Sequence, residues 1–347
     1  MYKIKMLIAI DSEYDEITKK PFIVTMADHQ SSKLLYPNNK KDYYIIKQIC
    51  ESRKIKKIFH SATSDIYALS TIGININPPY HDTFIMSSII DENFSSRKLK
   101  ILAKKYLREP CEEQKELNKI KLKYKRKYGK KFSWSLIPKK IIEPYAVKDA
   151  EYTYNLFKYF EPKIKQYKKL YKLELKLVPM IVNMQKRGHN INREFCKQEI
   201  LRLQESYNFY FKKLIKFNNK IFNIQSPKDL RSLLKKTDID FIEKTPTGLV
   251  KTGKDILEPL VKENKVIKWV LYCRSAHKQI NTYYEPLLNN YTSEKNSIAH
   301  FSFYQSGTKS GRFSAELIQT IPKESSNIDL PNNVRKAFIP RKNFINL

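Results

Sequence analysis

The chain has 347 residues, enough for two or three domains, and its hydrophobic fraction of 41% excludes a disordered protein. Its 66 Lys and Arg against 35 Asp and Glu leave a formal charge of +31. That balance fits a polyanionic partner, nucleic acid first and anionic membrane second, although a Lys-rich composition can also reflect an AT-rich genome. The four cysteines (Cys50, Cys111, Cys196, Cys273) form no CxxC pair, and no apolar stretch reaches the roughly 18–20 residues of a membrane span. A zinc site, a disulfide framework and a membrane span are thereby excluded, and a soluble intracellular protein is expected.

From Lys3 to about Val24 the pattern is strand-like: the apolar run Met6 to Ile10, then acids, then Pro21 to Met26. Ile55–Phe59 reads as another strand, Ser64–Thr71 as a helix and Thr83–Ile90 as a second helix. This alternation predicts an α/β domain over the first 160 residues or so. Between Lys115 and Lys140 eleven Lys and Arg face a single acid, Glu116, which predicts a basic loop or frayed helix. It serves either as a solvated face or as a guide for a nucleic-acid backbone. Beyond Pro162 long helices are expected: Leu170, Leu173, Leu177, Ile181 and Met184 recur at three- and four-residue steps, and Gly188 closes that helix. Asn192 caps the next, towards Phe217. Ser226 with Pro227 and Asp229, and Thr252 with Asp255, read as two further caps. A last long helix spans about Val266–Leu288, and strands and turns return from Ile298.

Chemistry concentrates in three segments. Asp11 and Glu13 stand two apart at the end of an apolar strand, so both point to one face, an arrangement suited to a hard divalent cation. Asp65 follows Phe59-His60-Ser61, where a strand passes into a helix, and by itself could be a helix cap. Tyr145 and Asp149 are four apart on an expected helix and hence share a face, though Tyr145 alone could be a core aromatic.

In this order and over this length, the segments resemble the three Exo motifs of the DEDD exonucleases in their Tyr variant. The resemblance implies a ribonuclease H-like α/β domain over 1–165 that holds two divalent cations, Mg²⁺ or Mn²⁺. Asp11 would bridge the pair, Glu13 and Asp149 would hold the cation with the attacking water, Asp65 the other, and Tyr145 would orient that water. Ser61 stands where the polymerase proofreading domains carry Asn, which puts one substrate contact in doubt and leans towards the ribonuclease D side.

The second half resembles the family A DNA polymerases. Phe222-Asn223 through Leu230, and Thr245 to Gly248 with Lys251 to Leu257, are similar to elements of that family's thumb. Gly307-Thr308-Lys309-Ser310-Gly311-Arg312, with Gln319-Thr320-Ile321-Pro322 and Arg335 to Phe338, is similar to its run ahead of the palm. Thr320 replaces the usual Asn there. The resemblance implies a helical thumb at 166–295 and the start of a palm at 296–347. It also implies DNA contacts from Ser61, Arg274, Lys278, Thr308, Arg312, Gln319 and Arg335. The acids of polymerase Motif A would follow the strand begun by Phe344–Leu347, so primer extension would need a separate polypeptide with palm and fingers. The expected substrates are single-stranded 3′ ends and primer–template DNA, in the cytoplasm of a bacterial or phage-infected cell. A stand-alone 3′→5′ exonuclease, or a remnant that only binds DNA, are the rival readings.

Overall fold

Strand β1 (Leu7–Tyr14) buries three consecutive residues, Ile8, Ala9 and Ile10, which requires apolar cover on both of its faces. The chain then adds β2 (Pro21–Ala27), β3 (Ser32–Leu35), α1 (Lys40–Glu51), β4 (Lys56–Phe59), α2 (Ala62–Ser70), β5 (Tyr80–Asp82) and α3 (Thr83–Ile90). The sheet order is β3-β2-β1-β4-β5. The first three strands are antiparallel, and β4 and β5 run parallel to β1. This computed structural model describes residues 6–341 except 16–17, 95, 130–131, 238, 240–242, 306–307, 309–310 and 323–331. Its two compact units are Met1–Lys186 with Phe303–Ser314, and Arg187–Ser302 with Ala315–Leu347.

In the first unit, α4 (Leu99–Leu102) runs on into a π-helical turn, Ala103–Leu107, and is followed by α5 (Glu112–Tyr128), α6 (Lys139–Phe160) and α7 (Lys168–Arg187). Helix α6 lies across β1, β2 and β3 and seals the core with Leu156, Phe157 and Phe160 against Ile10, Ile58 and Phe59. Of the lysine-rich stretch expected over Lys115–Lys140 as a loop or frayed helix, the part up to Tyr128 belongs to a regular helix, Glu112–Tyr128. Two features explain it. Leu117, Ile120, Tyr124 and Tyr128 recur at helical steps and pack with Ile23, Phe132 and Ile142. Glu112 and Glu113 in the first turn, and Lys125 to Lys127 in the last, complement the helix dipole.

The second unit is built on α8 (Arg193–Asn218), α9 (Pro227–Leu234), α10 (Lys254–Leu257) and α11 (Lys265–Lys278), with α11 packed along α8. Asn192 caps α8 and Ser226 caps α9, as their sequences predict. The cap expected at Thr252 is not formed: Gly253 begins α10 without a side-chain bond, and the Thr252 carbonyl accepts from Arg274 instead. The last long helix is α-helical only to Lys278 and widens into π-helical turns at Gln279–Tyr284 and Leu287–Tyr291. Gly188 does end α7. It has φ +62°, and a Cβ there would meet the Ala299 carbonyl at 2.7 Å, so the chain can enter the strand His189–Ile191 only through glycine. That strand pairs antiparallel with both Ile298–Ala299 and Phe338–Ile339. The expected strand at Phe344–Leu347 lies outside the described residues.

Candidate active site

Strand β1 pairs with β4 only as far as Ala9–Ile58 but with β2 as far as Tyr14–Pro21, past an irregularity after Glu13. Its carboxyl end therefore runs past β4 and leaves Asp11 and Glu13 at the rim of the parallel half of the sheet, where open α/β sheets place their ligands. Helix α6 crosses this rim and delivers Asp149. One carboxylate oxygen from each of Asp11, Glu13 and Asp149 lies within 4.8 Å of the others. Asp149 is buried, while Asp11 and Glu13 keep part of their surface open.

Asp65, in the first turn of α2, is also buried but is held apart from this trio. Its Oδ1 accepts from the Ser12 amide at 2.9 Å and from the Ser12 hydroxyl at 2.6 Å. The four acids still feel one another. Burial, then Asp149, Glu13 and Asp65, drive the Asp11 carboxyl well above its ordinary range. Burial, Asp149 and Asp65 push Glu13 to about 8, and burial raises Asp65 to about 7 against the two Ser12 bonds. Asp149 rises to about 6 through burial, opposed by Lys100 and by a hydrogen bond from Tyr145.

Such a cluster is short of positive charge. A six-coordinate Mg²⁺ with bonds of about 2.0–2.1 Å places its ligand oxygens about 3–4 Å apart. The trio's oxygens, within 4.8 Å of one another, lie near that spacing, and all its donors are hard oxygens. Tyr145 sits one turn before Asp149 and bonds its carboxylate. Burial and the neighbouring acids raise the phenol well above its ordinary value, so it remains a hydrogen-bond donor at neutral pH.

Ser61 precedes α2 in the left-handed region, at φ 70° and ψ 60°. Its amide and that of Ala62 donate to the buried Asp82 carboxylate, at 3.1 and 2.7 Å. The same carboxylate caps α3 through the amides of Phe84 and Ile85, at 2.8 and 3.3 Å. Asp82 thus ties the start of α2, and with it Asp65, to the start of α3.

The residues expected to touch DNA are placed as follows. Lys278, Arg312, Gln319 and Arg335 are exposed. Thr308 accepts from the Arg312 amide at 3.1 Å, and the Gln319 side chain accepts from the Ala315 amide at 2.8 Å. Arg274 donates to the Thr252 carbonyl.

Sequence reasoning missed Ser12 and, above all, Lys100. The Lys100 side chain enters the cluster from α4, buried at 7% exposure, and its ammonium contacts Asp149 Oδ1 and bonds Glu113 Oε1 at 2.6 Å. The Tyr145 and Tyr152 rings lie 4.5 and 4.6 Å from it. In the run Arg97-Lys98-Leu99-Lys100 nothing marks one lysine over another. The only usable signal was the spacing Tyr145-Asp149-Tyr152, a polar and aromatic stripe along one face of α6 that leaves room for a cation.

Comparison with known proteins follows this division of the chain. The 3'-5' exonuclease family model matches residues 1–165, and the DNA polymerase family A model matches residues 193–347. The DNA polymerase of Escherichia phage T5 is 30% identical over 316 residues, covering 82% of this chain and 36% of the relative. DNA polymerase I of Borreliella burgdorferi is 26% identical over 352 residues, covering 96% of this chain and 37% of the relative. The chain therefore spans about a third of the length of these curated relatives. Among solved structures, the POL domain of Pol1 from M. smegmatis, in complex with DNA primer-template and dNTP, shares the fold with a TM-score of 0.74 at 17% identity, covering 96% of this chain and 54% of that one. Among the described residues no helix is long and apolar enough to cross a membrane. With a 3'-5' exonuclease domain ahead of a polymerase portion, the chain belongs to the family A DNA polymerases.

Proposed function

We propose that the first unit hydrolyses phosphodiester bonds from the 3′ end of a DNA strand as a proofreading exonuclease, with Asp11, Glu13, Asp65 and Asp149 as ligands for two divalent cations, Mg²⁺ or Mn²⁺. The observation that carries this reading is the meeting of three carboxylates from β1 and α6 within 4.8 Å, at a rim where Asp65 is also felt. Bound there, divalent cations would acidify the attacking water and neutralise charge on the phosphate. The protein's own groups do the rest. Asp11 and Glu13 both feel the charges of Asp65 and Asp149. Tyr145 keeps its proton and can donate to or orient a water beside Asp149 without acting as a base. The division into nuclease at 1–165, thumb at 166–295 and palm start at 296–347 is proposed with it. The second part would grip primer–template DNA through Lys278, Thr308, Arg312, Gln319 and Arg335, with Ser61 near the strand end and Arg274 supporting the thumb from Thr252. The comparisons do not support the expected second polypeptide.

The test uses a 5′-labelled single strand with Mg²⁺ or Mn²⁺. The chain should shorten it stepwise from the 3′ end. Asp11→Ala and Asp149→Ala should each lower the rate by about three orders of magnitude or more, through lost charge stabilisation worth about 4 kcal/mol. Tyr145→Phe should cost less, because it removes a donor and leaves every ligand. Unchanged cleavage by Asp11→Ala would refute the site, and cleavage of RNA in preference to DNA would favour a ribonuclease D-like role.

A further inference from the structure

Lysine is seldom buried without a partner, because an ammonium loses several kcal/mol of hydration. Lys100 is buried between two carboxylates on different helices, Asp149 of α6 and Glu113 of α5. Only one of these belongs to the carboxylate trio. The faces of Tyr145 and Tyr152 complete the pocket and favour a cation anywhere along the line between the two acids. The four-carbon stem lets the ammonium shift by an ångström or so, roughly, with no movement of backbone. A divalent cation on Asp149 would repel it, and Glu113 is already at bonding distance to receive it.

We infer that Lys100 is a positioning residue: it is the resident counter-cation of the metal-free cluster, holding Asp149 in place, and it moves onto Glu113 when a divalent cation binds. This rests on the proposed metal site and adds to it a competition between an internal ammonium and the metal. It also links metal loading to α5, whose first turn carries Glu113 and whose remaining length carries the exposed lysines.

The test is a titration of the full chain with Mn²⁺ alone, by calorimetry at one alkaline pH, together with melting temperatures in Mn²⁺ and in chelator. Lys100→Met removes the competitor and should tighten Mn²⁺ binding about tenfold, or about 1.4 kcal/mol. It should also widen the gap between the two melting temperatures, because the acids depend on the ammonium only when metal is absent. Glu113→Gln removes the alternative seat and should weaken Mn²⁺ binding about threefold, by the same conversion. It leaves the trio and Lys100 intact, so it decides the matter if Lys100→Met does not fold. A Lys100→Met chain that binds Mn²⁺ no more tightly than the parent, or a Glu113→Gln chain that binds it equally or better, would overturn the inference alone. Absence of Mn²⁺ binding by the parent chain would overturn both it and the metal site.

Discussion

Asp82→Ala removes four backbone hydrogen bonds at once, and its cost follows from where they lie. The two from the Phe84 and Ile85 amides form the N-cap of α3, a type of interaction worth about 1–2 kcal/mol. The two from Ser61 and Ala62 would leave amides without acceptors at the start of α2, at about 1–3 kcal/mol each. Against this, burial holds the Asp82 carboxyl above its ordinary value, so removing it returns part of a desolvation penalty. The net expectation is a loss of about 3–5 kcal/mol. Asp82→Asn should lose roughly half as much, since its amide nitrogen presents a donor to the Ala62 amide but its oxygen still accepts. Urea unfolding followed by Trp134 fluorescence, in a Trp269→Phe background, isolates the unit that contains α2. A loss below about 1 kcal/mol for Asp82→Ala would refute this reasoning, because the four amides would then have found other partners.

The pH dependence of the metal-free chain has a definite sign. Glu13, Asp65 and Asp149 have folded pKa values raised to about 8, about 7 and about 6. Their protonated forms stabilise the fold below the unfolded carboxylate range, and that contribution is lost as pH rises through the folded values. The melting temperature in chelator should therefore fall from pH of about 5 to about 8, and the rise on adding Mg²⁺ should grow over the same interval. A Mg²⁺ increment independent of pH would refute it. Ser61→Asn should stabilise the first unit by about 0.5–1 kcal/mol, because asparagine tolerates the left-handed region at a lower cost than serine. A lower urea midpoint for that variant would show that the site has no room for the amide.

The sequence by itself determined the local features whose cause is local. Alternation placed Asp11 and Glu13 together on β1, helical spacing placed Tyr145 beside Asp149, and side-chain caps fixed the starts of α8 and α9 at Asn192 and Ser226. Each of these depends on residues within one or two turns, so the pattern is visible without knowing what packs against it. The lysine-rich stretch misled because its charges conceal the Leu117-Ile120-Tyr124-Tyr128 stripe, which has value only once there is a core to meet it. The same holds for the last helix, whose α-helical spacing gives no sign of the π-helical turns after Lys278. Only the tertiary structure could bring Asp149 to β1, turn Asp65 onto Ser12 and select Lys100 among its many equivalents. These are relations across more than 40 residues, set by the crossing of α6 over the sheet and by the placement of α4 and α5 beside it. An ammonium's charge is written in the sequence, but whether water or a carboxylate receives it is decided by burial, and burial is a property of the folded chain.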